Sequence, residues 1–499
     1  MASFFWRRAS PCEGGAGAAA FTGLSRRLPS IVAPTRPLRD DMTPAPLLLP
    51  LLLAALASLA SAPTRAQTAF PATLAGHALL PARTFIAAPA DAPASLRTSG
   101  KYTAPDGRRE DRIGVIAGTS FLSAKGVPRP TGIGLPFEGQ PVQGFSGIKA
   151  MKDGSHWVLS DNGYGSKANS ADAMLMFHRV RPDWQTGAVT RLQTVFLHDP
   201  DRRLPFLIVN EGTTQRYLTG ADLDIESIQL IGEHVWFGDE LGPYLVKTDR
   251  QGRVLAVFET TIDGKPARSP DHYAVTTPAV PGAFSTPVRR SRGYEGMAAS
   301  VDGRFLYPLL EGPLWNEAAK AWENKDGREV LRILEFDVTK GEWTGRSWKY
   351  ALEVNGNNIG DFNMIDADTG LIIERDNGEG TADTACNGPA RVDCQNVPAR
   401  FKRVYKISLK DADAEGFVRK IGYIDLMDIR DPKGLARVGG RDGRFTFPFV
   451  TIEDVDIVDA QHIVVANDNN LPYSAGRQLG RNDDNEFILL HVPELLSAR

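Results

Sequence analysis

From residue 144 onward, short apolar runs alternate with polar turns, and the alternation recurs in groups of four. One group reads as strands over 225–231, 234–239, 242–249 and 253–260, bounded by turn residues such as Gly232-Glu233 and Arg250-Gln-Gly. The same order returns over 295–300, 305–310, 330–338 and 343–354, and again over 362–367, 371–375, 403–409 and 418–426. A last group holds three strands, 451–458, 462–466 and 486–492. An open edge there would leave backbone unpaired, so an N-terminal strand over 77–87 is expected to complete it. Repetition of one four-stranded unit predicts an all-β fold: a β-propeller of five to six four-stranded antiparallel blades, closed by an N-terminal strand. Residues 88–145 leave the choice between five and six open.

The turns between first and second strands are short, as at Asp153-Gly154 and Asp302-Gly303. Long connections join second to third strands, or one group to the next: 162–173, 199–221, 261–292, 312–329, 377–402, 430–448 and 469–485. Strand polarity gathers these on one face, where function on a rigid scaffold usually resides. On the same face an acid or hydroxyl near the start of each first strand is matched by an acid near the end of the second. The pairs are Ser146 with Asp161, Glu226 with Glu240, Glu295 with Glu311, Asp361 with Asp376, and Glu453 with Asp468, at separations of 15, 14, 16, 15 and 15.

Composition narrows the classes. The 499 residues carry 57 basic and 60 acidic side chains, a net charge of −3, with no basic stretch interleaved with aromatics, which argues against a nucleic-acid partner. Residues 1–66 differ from the rest. The Leu/Ala-rich run 47–60, followed by small-residue cleavage candidates, reads as a secretion signal and not as a membrane span, with Met42 a candidate start. The expected domains are a leader over 1–66 and a propeller over 67–499. Cys386 and Cys394, eight positions apart in a polar loop, are expected to form a disulfide in an oxidising compartment, so the protein is expected to be periplasmic or secreted.

Carboxylates crowded at one end of a ring must be protonated, paired with Arg or Lys, or bound to cations. Oxygen donors without His or Cys select Ca²⁺ or Mg²⁺, and Ca²⁺ tolerates irregular geometry better. The expected metal set is Asp161, Glu226, Asp239, Glu240, Glu295, Glu311, Asp361, Glu374, Asp376, Glu453 and Asp468. Of these, Glu295, Glu311 and Asp376 are candidate catalytic residues. Arg292, Arg375 and Arg477 are candidate substrate-binding residues, since guanidinium forks suit phosphate and carboxylate. The eight histidines show no ligand spacing. Ser146, in Gly144-Phe-Ser-Gly-Ile, lacks the second glycine of a nucleophile elbow.

Arg292-Gly-Tyr-Glu-Gly-Met-Ala, Leu310-Glu-Gly-Pro-Leu, Gly238-Asp-Glu-Leu-Gly-Pro, Ile373-Glu-Arg-Asp-Asn and Ala466-Asn-Asp-Asn-Asn together resemble the phytase-like propeller family, described by an esterase-like activity of phytase. The resemblance runs from about Gly144 to Pro493 and implies a secreted or periplasmic propeller that hydrolyses phosphoesters or esters. The leading expectation is a Ca²⁺-dependent hydrolase of phosphate monoesters. The alternatives are a metal-dependent carboxylesterase or lactonase, with Asn357, Asn358, Asn467 and Asn469 as further ligands, and a non-catalytic ligand-binding propeller. The expected partner is a small-molecule ester, with no nucleic acid and no stable membrane span.

Overall fold

The computed structural model describes residues 67–276 and 285–499, so the leader lies outside the described residues. Four antiparallel strands make each blade. The first blade is Phe145–Ala150, His156–Ser160, Met176–Asp183 and Ala188–Phe196; the second is Ile225–Ile231, His234–Asp239, Tyr244–Asp249 and Val254–Glu259. The third is Tyr294–Ala299, Phe305–Leu310, Arg328–Asp337 and Glu342–Ala351, and the fourth is Asn358–Met364, Thr369–Arg375, Lys402–Ser408 and Arg419–Asp425. The fifth takes Ile452–Ile457, His462–Asn467 and Asn485–His491, and its outer strand is the N-terminal Thr73–Leu80, antiparallel to Asn485–His491. The closing strand thus starts and ends earlier than 77–87. Residues 85–141 contribute two-stranded hairpin pieces instead of a further four-stranded unit.

The first strands of the five blades neighbour one another in cyclic order, so the ring closes. Side chains alternate across each strand, and here both faces are buried, each against a different neighbouring blade. Val235 and Phe237 pack with Trp157 and Phe177 of the first blade, while Trp236 between them packs with Tyr294 and Phe336 of the third. Ile463 and Val465 face Ile373 and Val404 of the fourth blade, whereas Val464 and Ala466 face Phe145 and Val158 of the first. That is why these strands read as nearly continuous apolar runs. Five apolar clusters of this kind fill the five gaps between blades.

Polar side chains tie the inner strands together. Gln229 Nε2 donates to Met297 O at 2.6 Å and to Asn363 Oδ1 at 2.8 Å. Asn363 Nδ2 in turn donates to Val455 O at 2.9 Å and Ile148 O at 3.3 Å, so two amides link all five blades. Cys386 and Cys394 form the expected disulfide. Among the described residues no helix is long and apolar enough to cross a membrane.

Candidate metal centre

A β-bulge near the start of each first strand positions the acids. Ile225 pairs Asp239 and Ser227 pairs Gly238, leaving Glu226 as the extra residue. Tyr294 pairs Leu310 and Gly296 pairs Leu309, so Glu295 is extra, and Glu453 is extra between Ile452 and Asp454. The first blade shifts in the same place, around Ser146 and Gly147. A bulged residue leaves the ladder and its side chain is re-aimed. Here it turns toward the mouth of the ring, beside the residue that follows each second strand: Asp161, Glu240, Glu311 and Asp468. Gly144 permits this in the first blade. Its φ is +65°, and a Cβ there would lie 2.5 Å from Asp161 Oδ1.

The fourth blade differs, and the pairing over Asp361 and Asp376 is corrected by one residue. Ile359 pairs Glu374 and Phe362 pairs Ile372. Gly360 therefore stands where other blades carry Glu226, Glu295 and Glu453, and Arg375 stands where they carry Asp161, Glu240, Glu311 and Asp468. A Cβ at Gly360 would come within 2.4 Å of Ile452 O and 3.0 Å of Glu453 Cα. No larger residue fits without moving the fifth blade.

The mouth encloses a cavity of about 430 Å³. Eight carboxylates line it (Asp161, Asp224, Glu226, Glu240, Glu295, Glu311, Glu453 and Asp468) against three arginines, Arg290, Arg292 and Arg375. Arg292 pairs with Glu311. Arg375 pairs with Glu453 and lies 3.7 Å from Glu295 and 4.0 Å from Glu311. Arg290 reaches instead to Asp271 at 3.0 Å. Asp224, Glu226 and Glu240 bring one oxygen each within 4.8 Å of one another, and so do Glu240, Glu295 and Glu311, with Glu240 common to both triads.

Burial pushes the carboxyls of Asp161, Glu226, Glu240 and Glu295 well above the usual range, and the neighbouring carboxylates push them further. Burial, then Glu453, raises Asp468 to about 8. Three oxygens, Asp224 Oδ1, Glu240 Oε1 and Glu295 Oε1, are buried without a hydrogen-bond partner. Buried acceptors without donors are costly, and carboxylate oxygens in this state fit a hard divalent cation.

The structure brings seven of the expected metal residues to the cavity: Asp161, Glu226, Glu240, Glu295, Glu311, Glu453 and Asp468. The other four lie outside its lining and serve the scaffold. Asp239 accepts backbone N–H groups of Asp224 at 2.8 Å and Gly242 at 2.7 Å. Asp361 accepts from Asn363 Nδ2 at 2.9 Å and from the Phe362 N–H at 2.8 Å. Glu374 accepts from Tyr350 Oη at 2.8 Å and lies 3.1 Å from Lys420 Nζ. Asp376 shapes its own loop through the N–H groups of Arg400 and Phe401, at 2.8 and 3.0 Å, and pairs with Lys402 at 3.0 Å. Arg292 and Arg375 line the cavity; Arg477 is elsewhere, forked onto Glu486 at 2.9 and 2.6 Å. Asp224 was missed by the pairing rule. Its signal was the Asp222-Leu-Asp-Ile-Glu alternation, which puts Asp224 one strand period before Glu226. Asn162, Asn358, Asn377, Asn470 and the half-exposed Phe121 also line the mouth.

The Phytase-like family, described as esterase-like activity of phytase, matches residues 140–471. That span takes in four complete blades and the mouth strands of the fifth, and the chain belongs to this family. An uncharacterized secreted protein of Arthroderma benhamiae is 31% identical over 127 residues, covering 23% of this chain and 24% of that relative. The periplasmic gluconolactonase of Pseudomonas aeruginosa is 12% identical, with a TM-score of 0.28 over 76% of this chain and 99% of that one. A luciferin-regenerating enzyme is 9% identical, with a TM-score of 0.29 over 70% of this chain and 91% of that one. Likeness at this level says nothing of activity.

Proposed function

We propose that the protein is a secreted, divalent-cation-dependent hydrolase of phosphate monoesters, with calcium as the ion. The observation that carries this reading is the pair of buried carboxylate triads sharing Glu240, three of whose oxygens have no hydrogen-bond partner. Asp224, Glu226, Glu240, Glu295 and Glu311 would hold the ion or ions. A divalent ion so held supplies Lewis acidity toward a phosphoryl oxygen and lowers the pKa of bound water. Without it, the eight carboxyl groups would leave a phosphate only the three arginines to bind.

The chain's own residues supply the rest. Arg292, a third exposed, and Arg290 stand at the rim, where a guanidinium fork can orient an incoming phosphate. Glu311 fixes Arg292 there and keeps it more firmly protonated. Phe121 offers the rim an exposed aromatic face for the rest of the ester. Export is supported by the signal-like run at 47–60, the Cys386–Cys394 disulfide and the secreted relative.

Four asparagines at the mouth support a second reading, a metal-dependent carboxylesterase or lactonase, because neutral amides orient an uncharged ester without repelling it. Parallel assays separate the two. The first predicts turnover of p-nitrophenyl phosphate or phytate that EDTA abolishes and Ca²⁺ restores. Turnover confined to p-nitrophenyl acetate or a lactone would favour the second. No turnover of any of them by calcium-loaded protein would leave a ligand-binding propeller.

A further inference from the structure

We infer that Arg375 is a tethered cation that takes the place an ion would otherwise hold on the fourth-blade side of the ring, and that it confines divalent-cation binding to the two triads sharing Glu240. This rests on the metal reading above and names what limits the ion number. The pseudo-symmetry of the ring is the starting point. Four blades end their second strands on an acid at the mouth, and the fourth ends on Arg375, with Gly360 in place of the bulged acid opposite. Both changes act in the same direction: they remove two carboxylates and add a fixed positive charge.

The side chain is built in. Its exposure is 3%, and its terminal nitrogen faces Glu453, Glu295 and Glu311, which come from two different blades. A guanidinium stays protonated under all ordinary conditions, so this charge cannot be lost as a metal ion can. Glu453 is thereby withdrawn from the ligand set. One of its oxygens is taken by Arg375, and the other accepts the Ser146 hydroxyl at 3.1 Å. Glu240 Oε1 keeps no hydrogen-bond partner, and Glu295 Oε1 has none either, its nearest cation being the Arg375 guanidinium at 3.7 Å; both residues are 95% buried. The fully buried carboxylate oxygens left without a hydrogen bond in the cavity therefore lie on the second and third blades, while the guanidinium repels any dication approaching from the fourth. The inference also moves Arg375 out of direct substrate binding, because three carboxylates already surround its fork.

The test compares wild type with R375M, R375K and the double variant R375M/E453Q. Each is stripped with chelator and titrated with Ca²⁺, and both bound calcium per chain and the thermal midpoint are read. R375M is expected to bind about one more Ca²⁺ than wild type, as carboxylates left without a cation recruit a hard ion, and to gain a larger calcium-induced rise in midpoint. R375K should keep the wild-type number, and R375M/E453Q should lose the extra ion. Equal ion number and equal midpoint shift in R375M and wild type would overturn the inference and leave the metal reading standing. R375M that stays unfolded even in calcium would also overturn it, since an ion then cannot replace the guanidinium. A wild type that binds no divalent ion would instead bring down the metal reading, and the inference with it.

Discussion

Asp161, Glu226, Glu240, Glu295 and Asp468 carry carboxyls whose protons are held too tightly for ordinary acids, and that fixes how the metal-free protein responds to pH. Their folded pKa values are raised, Asp468 from 3.8 to about 8 and the scaffold acids Asp239 and Asp361 to about 7. Between the unfolded and the folded values the native state binds more protons than the unfolded chain, so stability falls as pH rises. In EDTA the thermal midpoint should drop steadily from pH 5 to pH 8. In Ca²⁺ the drop should become smaller, because the ion binds the deprotonated triad ligands and takes over the proton's role there, while Asp239 and Asp361 keep their share. A midpoint in EDTA that rises over this range would contradict the assignment. Most of these acids were legible in the chain because they recur at one place in each repeat. Asp224 was hidden because no other repeat carries an acid at that place, Gly144, Gly293, Asn358 and Thr451 standing there instead, and Asp376 misled because an acid opening a polar loop looks the same whether it faces a metal or its own backbone.

Strand order was readable because both faces of second strands such as His234–Asp239 and His462–Asn467 are largely apolar, and the second-blade strands Ile225–Ile231 and His234–Asp239 lie where the pattern puts them. Register in the fourth blade was not. The apolar run suggests a start at Phe362, but the strand begins at Asn358, and its bulge falls on Gly360 and Asp361. A bulge is a backbone event with no residue type of its own, so a one-residue slip is invisible until the partner strand is known. Gly360 offers a sharp check on this element. Gly360→Ala drives a Cβ into Ile452 O and the Glu453 backbone, and overpacking of this kind costs roughly 1–3 kcal/mol. Urea unfolding should show that loss. A variant as stable as wild type would mean that the two blades do not meet there.

At the scale of the molecule the acids are one consequence of ring closure. Five first strands in cyclic contact bring side chains up to 307 positions apart into one mouth, as with Ser146 and Glu453. The N-terminal strand Thr73–Leu80 completes the last blade and so helps hold that mouth shut. The triad of Asp224, Glu226 and Glu240 belongs to the second blade, whereas Glu240 with Glu295 and Glu311 joins the second blade to the third, so an ion in that triad would act as a cross-brace as well as a reactive centre. Glu240 is the residue on which both triads depend. The most direct measurement is a calorimetric Ca²⁺ titration of chelator-stripped protein, comparing wild type, Glu240→Gln and Asp376→Asn. The predicted result is saturable binding in wild type and Asp376→Asn, with affinity lowered about 100-fold or more in Glu240→Gln, as expected when a shared carboxylate ligand is neutralised. Undiminished binding in Glu240→Gln, or no binding by wild type, would contradict the account.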